Sequence, residues 1–301
     1  MKQQPPFLKP GARVGIVTTA RFISPEELEP AIGLIKKEGF EVVLTNDIYK
    51  KENQFGGSDL SRSNDLNEML NREDIDAVLI ARGGYGTLRI IDTIDFAMFK
   101  KKPKWIIGYS DVTVLHSAIN VLTDFASLHA TMPINFTKNE EATNSLFNAL
   151  KGKPLSYNFP AHELNRKGVI IGEVVGGNLS LLYALSASNT DINCEGKVLF
   201  IEDLDEYFYH IDRMILQLKR SGKLKHLKGL IVGGMTDMKD NAILFGKNVE
   251  EIILDAVKEY NYPVCFGFPA GHIDRNLALK LGCEIIIEMG DDFCTSLQKS
   301  N

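Results

Sequence analysis

A chain of 301 residues, 44% hydrophobic and 24% charged, has an ordinary globular composition and exceeds the usual size of one core, so two domains are expected. The net charge of −5 leaves no basic footprint for nucleic acid. No membrane span is expected, because the most apolar window, 168–187, is interrupted by Glu173, Asn178 and three glycines.

The first ten residues hold no apolar h-region, so a cytoplasmic protein is expected. From Gly11 the apolar run Val14-Gly15-Ile16-Val17 predicts a buried strand. Ser24-Pro25-Glu26-Glu27 then gives a helix start, with Leu28, Ala31, Ile32 and Ile35 on one face and a stop at Gly39. Phe40 to Leu44 predicts the next strand, and the strand, helix, strand unit implies a parallel sheet. Ser61 or Ser63 is expected to lead into a short helix from Asp65 to Leu70, followed by a strand over 75–81.

That strand runs into Arg82-Gly83-Gly84-Tyr85-Gly86-Thr87, a glycine-rich loop read as opening a helix. In an open α/β sheet, ligands bind at this carboxyl edge. The loop lacks both Gly-x-Gly-x-x-Gly and a Gly-Lys-Ser/Thr ending, which disfavours a phosphate cradle. Two readings stay open: a tight turn without chemistry, or backbone N–H groups brought close to a reacting carbonyl oxygen, with Arg82 or Tyr85 touching substrate.

Trp105-Ile106-Ile107 reads as a further buried strand, and from Val112 the apolar spacing is helical, with Ser110 or Asp111 as N-cap. Ser110 therefore stands where a strand breaks sharply into a helix, the geometry of a nucleophile elbow. Gly108-Tyr109-Ser110-Asp111-Val112 keeps the glycine before the serine and lacks the one after it, so the motif also fits an ordinary turn and cap. Helix is predicted again through Ser145 to Leu150, and 151–167 reads as an interdomain linker between domains at 1–150 and 168–301.

In the second half, Gly176-Gly177-Asn178 opens a helix, and Lys197 to Ile201 is a strand that delivers Glu202 and Asp203 at its end. A helix from about Tyr209 has Ile211, Met214, Ile215 and Leu218 at core spacing, with Arg213 beside them. Leu227 to Val232 and Val264 to Phe268 read as strands around a helix over 249–260, and Phe268-Pro269-Ala270-Gly271-His272 places a histidine past a strand end. Cys194, Cys265, Cys283 and Cys294 match no zinc or redox spacing and are expected to be reduced core residues.

Ser110, Glu202 and His272 thus each fall at the carboxyl end of a predicted strand, in an order compatible with a nucleophile, acid and base. His272 could equally be an exposed turn residue, and His129 is a rival base. The acidic run Glu202-Asp203-Leu204-Asp205-Glu206 could be a solvated loop or a hard-metal site, although calcium-loop spacing is missing. A non-catalytic α/β protein whose glycine loops hold a small anion is the competing reading.

Five motifs in order, Arg82-Gly83-Gly84-Tyr85-Gly86, Gly108 to Thr113 with Leu115-His116, Gly176 to Ser180, Glu202-Asp203 with Asp212-Arg213-Met214, and Pro269 to His272, resemble those of the LD-carboxypeptidases. These are the muramoyl-tetrapeptide carboxypeptidase family of serine peptidases. The resemblance spans about Gly11 to Glu288 and implies an α/β fold: a parallel-sheet domain like the class I glutamine amidotransferases (flavodoxin-like), then a C-terminal swivelling β/α domain. It implies a cytoplasmic homodimer that removes the terminal D-alanine from muropeptide tetrapeptides, with no cofactor, metal, nucleic acid or membrane partner. Carried over by motif, Ser110 is the nucleophile, His272 the base and Glu202 its orienting acid, with the Gly84 and Asp111 backbone N–H groups forming the oxyanion hole. Arg82, Tyr85 and Arg213 are expected to contact substrate, and Arg82, Arg89 or Arg213 to hold its terminal carboxylate. His129-Ala130-Thr131 departs from the His-Gly-Pro common in the family. A sister branch, the microcin C immunity peptidases, shares the triad but cleaves an amide beside an aminoacyl-nucleotide.

Overall fold

The computed structural model describes residues 1–300. Its first sheet is built from β1 (Arg13–Val17), β2 (Glu41–Leu44), β3 (Ala77–Ile80), β4 (Trp105–Gly108) and β5 (Ser127–His129), all mutually parallel. Their spatial order, β5-β4-β3-β1-β2, is that of flavodoxin-like sheets, and the chain reverses direction across the sheet between β1 and β3. The loops after those two strands meet there, with Arg21 N donating to the Gly83 carbonyl at 3.4 Å and Thr87 Oγ1 to Thr19 Oγ1 at 2.8 Å.

Alternation along each strand sends side chains to two cores. Val14, Ile16, Leu79, Trp105 and Ile107 pack beneath α1 (Pro25–Lys37) and α5 (Glu140–Leu150). Val17, Val78, Ile80 and Ile106 pack against α2 (Asp59–Asn71), α3 (Ala97–Lys101) and α4 (Thr113–Leu122). The predicted face of α1 is the buried one, and Ser24 and Glu27 close a reciprocal capping box at its start. The helix α2 begins six residues before the expected Asp65, because Ser58, rather than Ser61 or Ser63, caps it. Ser63 is buried inside the helix instead.

The second sheet has the order β10-β9-β8-β7-β12-β13-β6. Strands β7 (Val169–Asn178), β8 (Val198–Leu204), β9 (Gly229–Thr236) and β10 (Val264–Cys265) run parallel. Helices α6 (Leu179–Ala184), α7 (Phe208–Arg220) and α8 (Val249–Val257) cover one face through Leu182, Ile211, Ile215, Leu218, Ile253 and Val257. The other face closes on the antiparallel strands β12 (Glu284–Met289), β13 (Phe293–Gln298) and β6 (Leu155–Pro160).

Two expectations need correction. The polar stretch 151–167 is not a plain linker, because 155–160 is β6, which pairs with β13 in alternating exposed and buried fashion. The C-terminal span also sends β11 (Leu279–Leu281) back to the first sheet, antiparallel to β5. The halves are therefore stitched by backbone hydrogen bonds as well as by packing.

Candidate active site

Ser110 follows β4 with a φ of +64°, an uncommon conformation for a residue with a Cβ, and it begins a single 3-10 turn, 110–112, before α4. Neither Ser110 nor Asp111 caps that turn through its side chain. The sharp bend is held from below. Buried His116 donates its Nε2 proton to the Gly108 carbonyl at 2.9 Å, and its Nδ1 accepts from Ser127 at 2.8 Å. Burial pushes the His116 pKa down to about 4, so the ring stays neutral and keeps that donor and acceptor arrangement.

Asp111 anchors the elbow to the glycine-rich loop. Its buried carboxylate accepts the Thr87 backbone N–H at 2.7 Å, and burial raises its pKa. Beneath the same loop, fully buried Arg62 reaches the Thr19 and Gly57 carbonyls and Asp59. The expected helix after this loop is instead two short 3-10 turns, 87–89 and 91–93, with Arg89 N donating to the Gly86 carbonyl and Ile90 N to that of Thr87.

The second half reaches the elbow through a close backbone approach. A Cβ on Gly177, whose φ is +144°, would lie 2.5 Å from Thr113 Oγ1, and the next N–H, of Asn178, donates to that same oxygen at 2.9 Å. Asn178 pairs in register with Glu202 on β8, so docking β7 on the start of α4 carries Glu202 to the elbow. His272 arrives on the loop after β10, fixed by Thr236 Oγ1 donating to its carbonyl at 2.6 Å.

These elements bring Ser110, His272 and Glu202 together. Glu202 is fully buried, and its Oε2 accepts the His272 backbone N–H at 3.1 Å and Nδ1 at 2.6 Å. With the proton on Nδ1, Nε2 is the free acceptor, and it lies 3.0 Å from Ser110 Oγ. Burial alone would lower the His272 pKa, but the hydrogen bond and charge of Glu202 and the charge of Asp203 outweigh it, and the net direction is upward. Gly271 makes room for this contact: at φ +106°, a Cβ there would sit 2.8 Å from Glu202 Oε2.

Sequence reasoning assigned no structural role to Asp203. Its carboxylate is buried and accepts from Asn178 Nδ2, Leu204 N and Ser180 N at 2.8–2.9 Å. Burial first, and then the Glu202 charge, push its pKa up to about 7. The Glu-Asp pair at a strand end and the Gly-Gly-Asn motif were both visible, but their hydrogen bonding across β7 and β8 was not. The rest of the acidic run is dispersed, with Asp205 paired to Lys239 and Glu206 to His210. Among the described residues no group of three or more His, Cys, Asp or Glu side chains is placed to hold a metal ion. The four cysteines are free and buried.

His129 does not reach the serine. It is fully buried against Tyr109, Phe200 and His116, neither ring nitrogen has a partner, and burial drives its pKa well below the ordinary value. Around the elbow, Gly83 is the residue whose Cβ would crowd Ser110 Oγ, at 3.2 Å. The Gly83 carbonyl accepts from Arg21 N at 3.4 Å, so the trans peptide turns the Gly84 N–H to the opposite side.

The three nominated arginines already have partners within the chain. Arg82 donates to Glu27 at 3.1 Å, Arg89 grips Asp59 with three hydrogen bonds, and Tyr85 is exposed beside Phe55. Arg213 lies over the Tyr209 ring in a separate cavity on α7, with Tyr183, Leu216 and Arg220. The cavity beside the triad, of about 460 Å³, is lined instead by Tyr109, Thr131, Asn135, Lys138, Asp237 and His272, among others.

Comparison with known proteins places this arrangement. Residues 14–130 match the LD-carboxypeptidase N-terminal domain and 171–287 the LD-carboxypeptidase C-terminal domain. A probable murein peptide carboxypeptidase of Bacillus subtilis is 33% identical over 290 residues, covering 94% of this chain and 91% of the relative. The crystal structure of muramoyltetrapeptide carboxypeptidase from Oxalobacter formigenes superposes with a TM-score of 0.87 at 26% identity, covering 96% of this chain and 99% of that one. The microcin C7 self immunity protein MccF has the same fold, with a TM-score of 0.87 at 19% identity and 98% coverage of both chains. No helix among the described residues is long and apolar enough to cross a membrane. With both domain models matched in order across the two sheets that carry Ser110, Glu202 and His272, the chain belongs to the LD-carboxypeptidase family.

Proposed function

We propose that this protein is a serine-type carboxypeptidase that hydrolyses the amide between the L-centre of a diamino acid and a terminal D-alanine in muropeptide tetrapeptides, serving cell-wall recycling. The observation that carries the reading is the unbroken chain from Ser110 Oγ to His272 Nε2 at 3.0 Å and from His272 Nδ1 to Glu202 Oε2 at 2.6 Å.

His272 takes the Ser110 proton as Oγ attacks the amide carbonyl, and Glu202 supports the imidazolium that forms. The tetrahedral oxyanion is received by the Gly84 and Asp111 backbone N–H groups, where preorganised donors stabilise charge without reorganising. His272 then passes its proton to the departing D-alanine nitrogen, and water, deprotonated by the same imidazole, releases the acyl group from Ser110. Every proton in this scheme passes through one ring nitrogen. That is why the Nδ1 tautomer held by Glu202 matters.

Mass spectrometry of tri-, tetra- and pentapeptide muropeptides and of an aminoacyl sulfamoyl adenylate, each incubated with the pure protein, tests the reading. Loss of one D-alanine from the tetrapeptide alone is the expected result. Cleavage of the sulfamoyl adenylate with the muropeptides untouched would move the protein to the microcin-immunity branch. No product from any of them would favour a binding protein.

A further inference from the structure

A carboxypeptidase must recognise the free carboxylate of the residue it releases, and the three arginines nominated for that task are bound elsewhere or line another cavity. Chemistry restricts where the right cation can stand. His272 hands its proton to the leaving nitrogen, and covalent geometry keeps the carboxylate oxygens of that residue within roughly 4 Å of the same nitrogen. The carboxylate therefore lies in the space that the His272 ring borders.

That space is the cavity of about 460 Å³, and the one arginine or lysine lining it is Lys138. Lys138 is exposed, on the turn before α5, and no carboxylate among the described residues lies within 4.0 Å of its Nζ. Asp237 and Asp274 line the same cavity and repel a substrate carboxylate, which leaves Lys138 as its charge partner there. In the same cavity Tyr109 Oη accepts from Asn135 Nδ2 at 2.7 Å, which leaves its phenolic proton for another acceptor. Burial raises the Tyr109 pKa to about 12, so that proton stays in place. Arg21 is the competing free cation, but its stem lies against Gly84, on the glycine-loop side of Ser110, and it does not line the cavity.

We infer that Lys138 receives the terminal carboxylate of the substrate, with the Tyr109 hydroxyl as a second donor. The inference rests on the carboxypeptidase reading above and adds the residue that makes the enzyme an exopeptidase.

The test compares a tetrapeptide ending in D-alanine with the same peptide ending in D-alaninamide, in the wild-type protein and in Lys138→Met, Lys138→Arg and Arg21→Met. A charge-assisted hydrogen bond lost from binding corresponds to a rise in KM of about 10- to 100-fold. Lys138→Met should show that rise for the free acid with little change in kcat, and its preference for acid over amide should fall toward one. Lys138→Arg should recover most of the preference, and Arg21→Met should keep it. Retention of the wild-type preference by Lys138→Met, or its collapse in Arg21→Met instead, overturns the assignment while leaving the hydrolase reading intact. A wild-type protein that releases no D-alanine sinks the hydrolase reading itself, and the assignment with it.

Discussion

Tyr109 separates two imidazoles, its ring centroid lying 5.0 Å from that of His272 and 5.9 Å from that of His129. Both histidines follow or end a strand at the carboxyl edge of a sheet, and both are buried or nearly so. Their surroundings differ in one respect that decides their chemistry. His129 sits among Tyr109, Phe200 and His116 with neither ring nitrogen partnered, so desolvation dominates and the ring is an apolar core residue. His272 has a carboxylate at 2.6 Å that fixes its tautomer, offsets the desolvation and aims Nε2 at a hydroxyl. A base is made by its partner and its direction, and proximity to the serine's strand is not enough.

The largest expected effect tests that contrast directly. Ser110→Ala and His272→Ala should each lower kcat by roughly 10⁴- to 10⁶-fold while circular dichroism and the unfolding midpoint stay near those of the parent. His129→Phe should cost less than about tenfold in kcat; a loss matching that of His272→Ala would erase the distinction between the two pockets. Glu202→Gln comes next, with a fall of about 10³- to 10⁴-fold, since it removes the charge supporting the imidazolium and offers Nδ1 a poorer acceptor.

A smaller effect comes from Asp203. A base works unprotonated, and the His272 pKa lies above the ordinary 6.5, so kcat/KM should fall as pH drops through a value above 6.5. Asp203 contributes the smallest part of the negative charge that raises it, and with its own pKa pushed up to about 7 it contributes only to the extent that it is ionised. Asp203→Asn keeps the shape and removes the charge, so the acid limb of the pH profile should move to lower pH. A limb that stays in place or moves upward would remove Asp203 from the electrostatics of the base. The smallest effect is far from both pockets: Ser24→Ala should cost about 1 kcal/mol of stability through the lost cap and leave turnover unchanged.

Much of this was legible in the residues. Ser24-Pro25-Glu26-Glu27 carries its own helix start because a cap is a local hydrogen-bond problem, and the apolar spacing of α1 and α7 names their buried faces in advance. The glycine before Ser110 likewise marks where a side chain leaves a sheet edge, and His272 does lie on the loop after β10, whereas Glu202, expected past the end of its strand, lies within β8 and pairs in register with Asn178. The start of α2 is not legible, because several serines compete as caps over 58–63 and sequence alone does not rank them. The strand at 155–160 is hidden in the sequence, because an alternating polar edge looks like a loop until β13 is beside it.

Composition and local pattern thus determined several of the parallel strands, the capped helices and the candidate triad residues, because strands, caps and turns are settled by neighbours within a few positions. Tertiary structure alone decided which groups meet. The fit of Gly177 on Thr113, the gap at Gly271 for Glu202, the isolation of His129 and the cavity that Lys138 and His272 both line each depend on residues tens of positions apart. Those distances are set by how two sheets dock, and docking is a property of packed surfaces that no single segment of the chain contains.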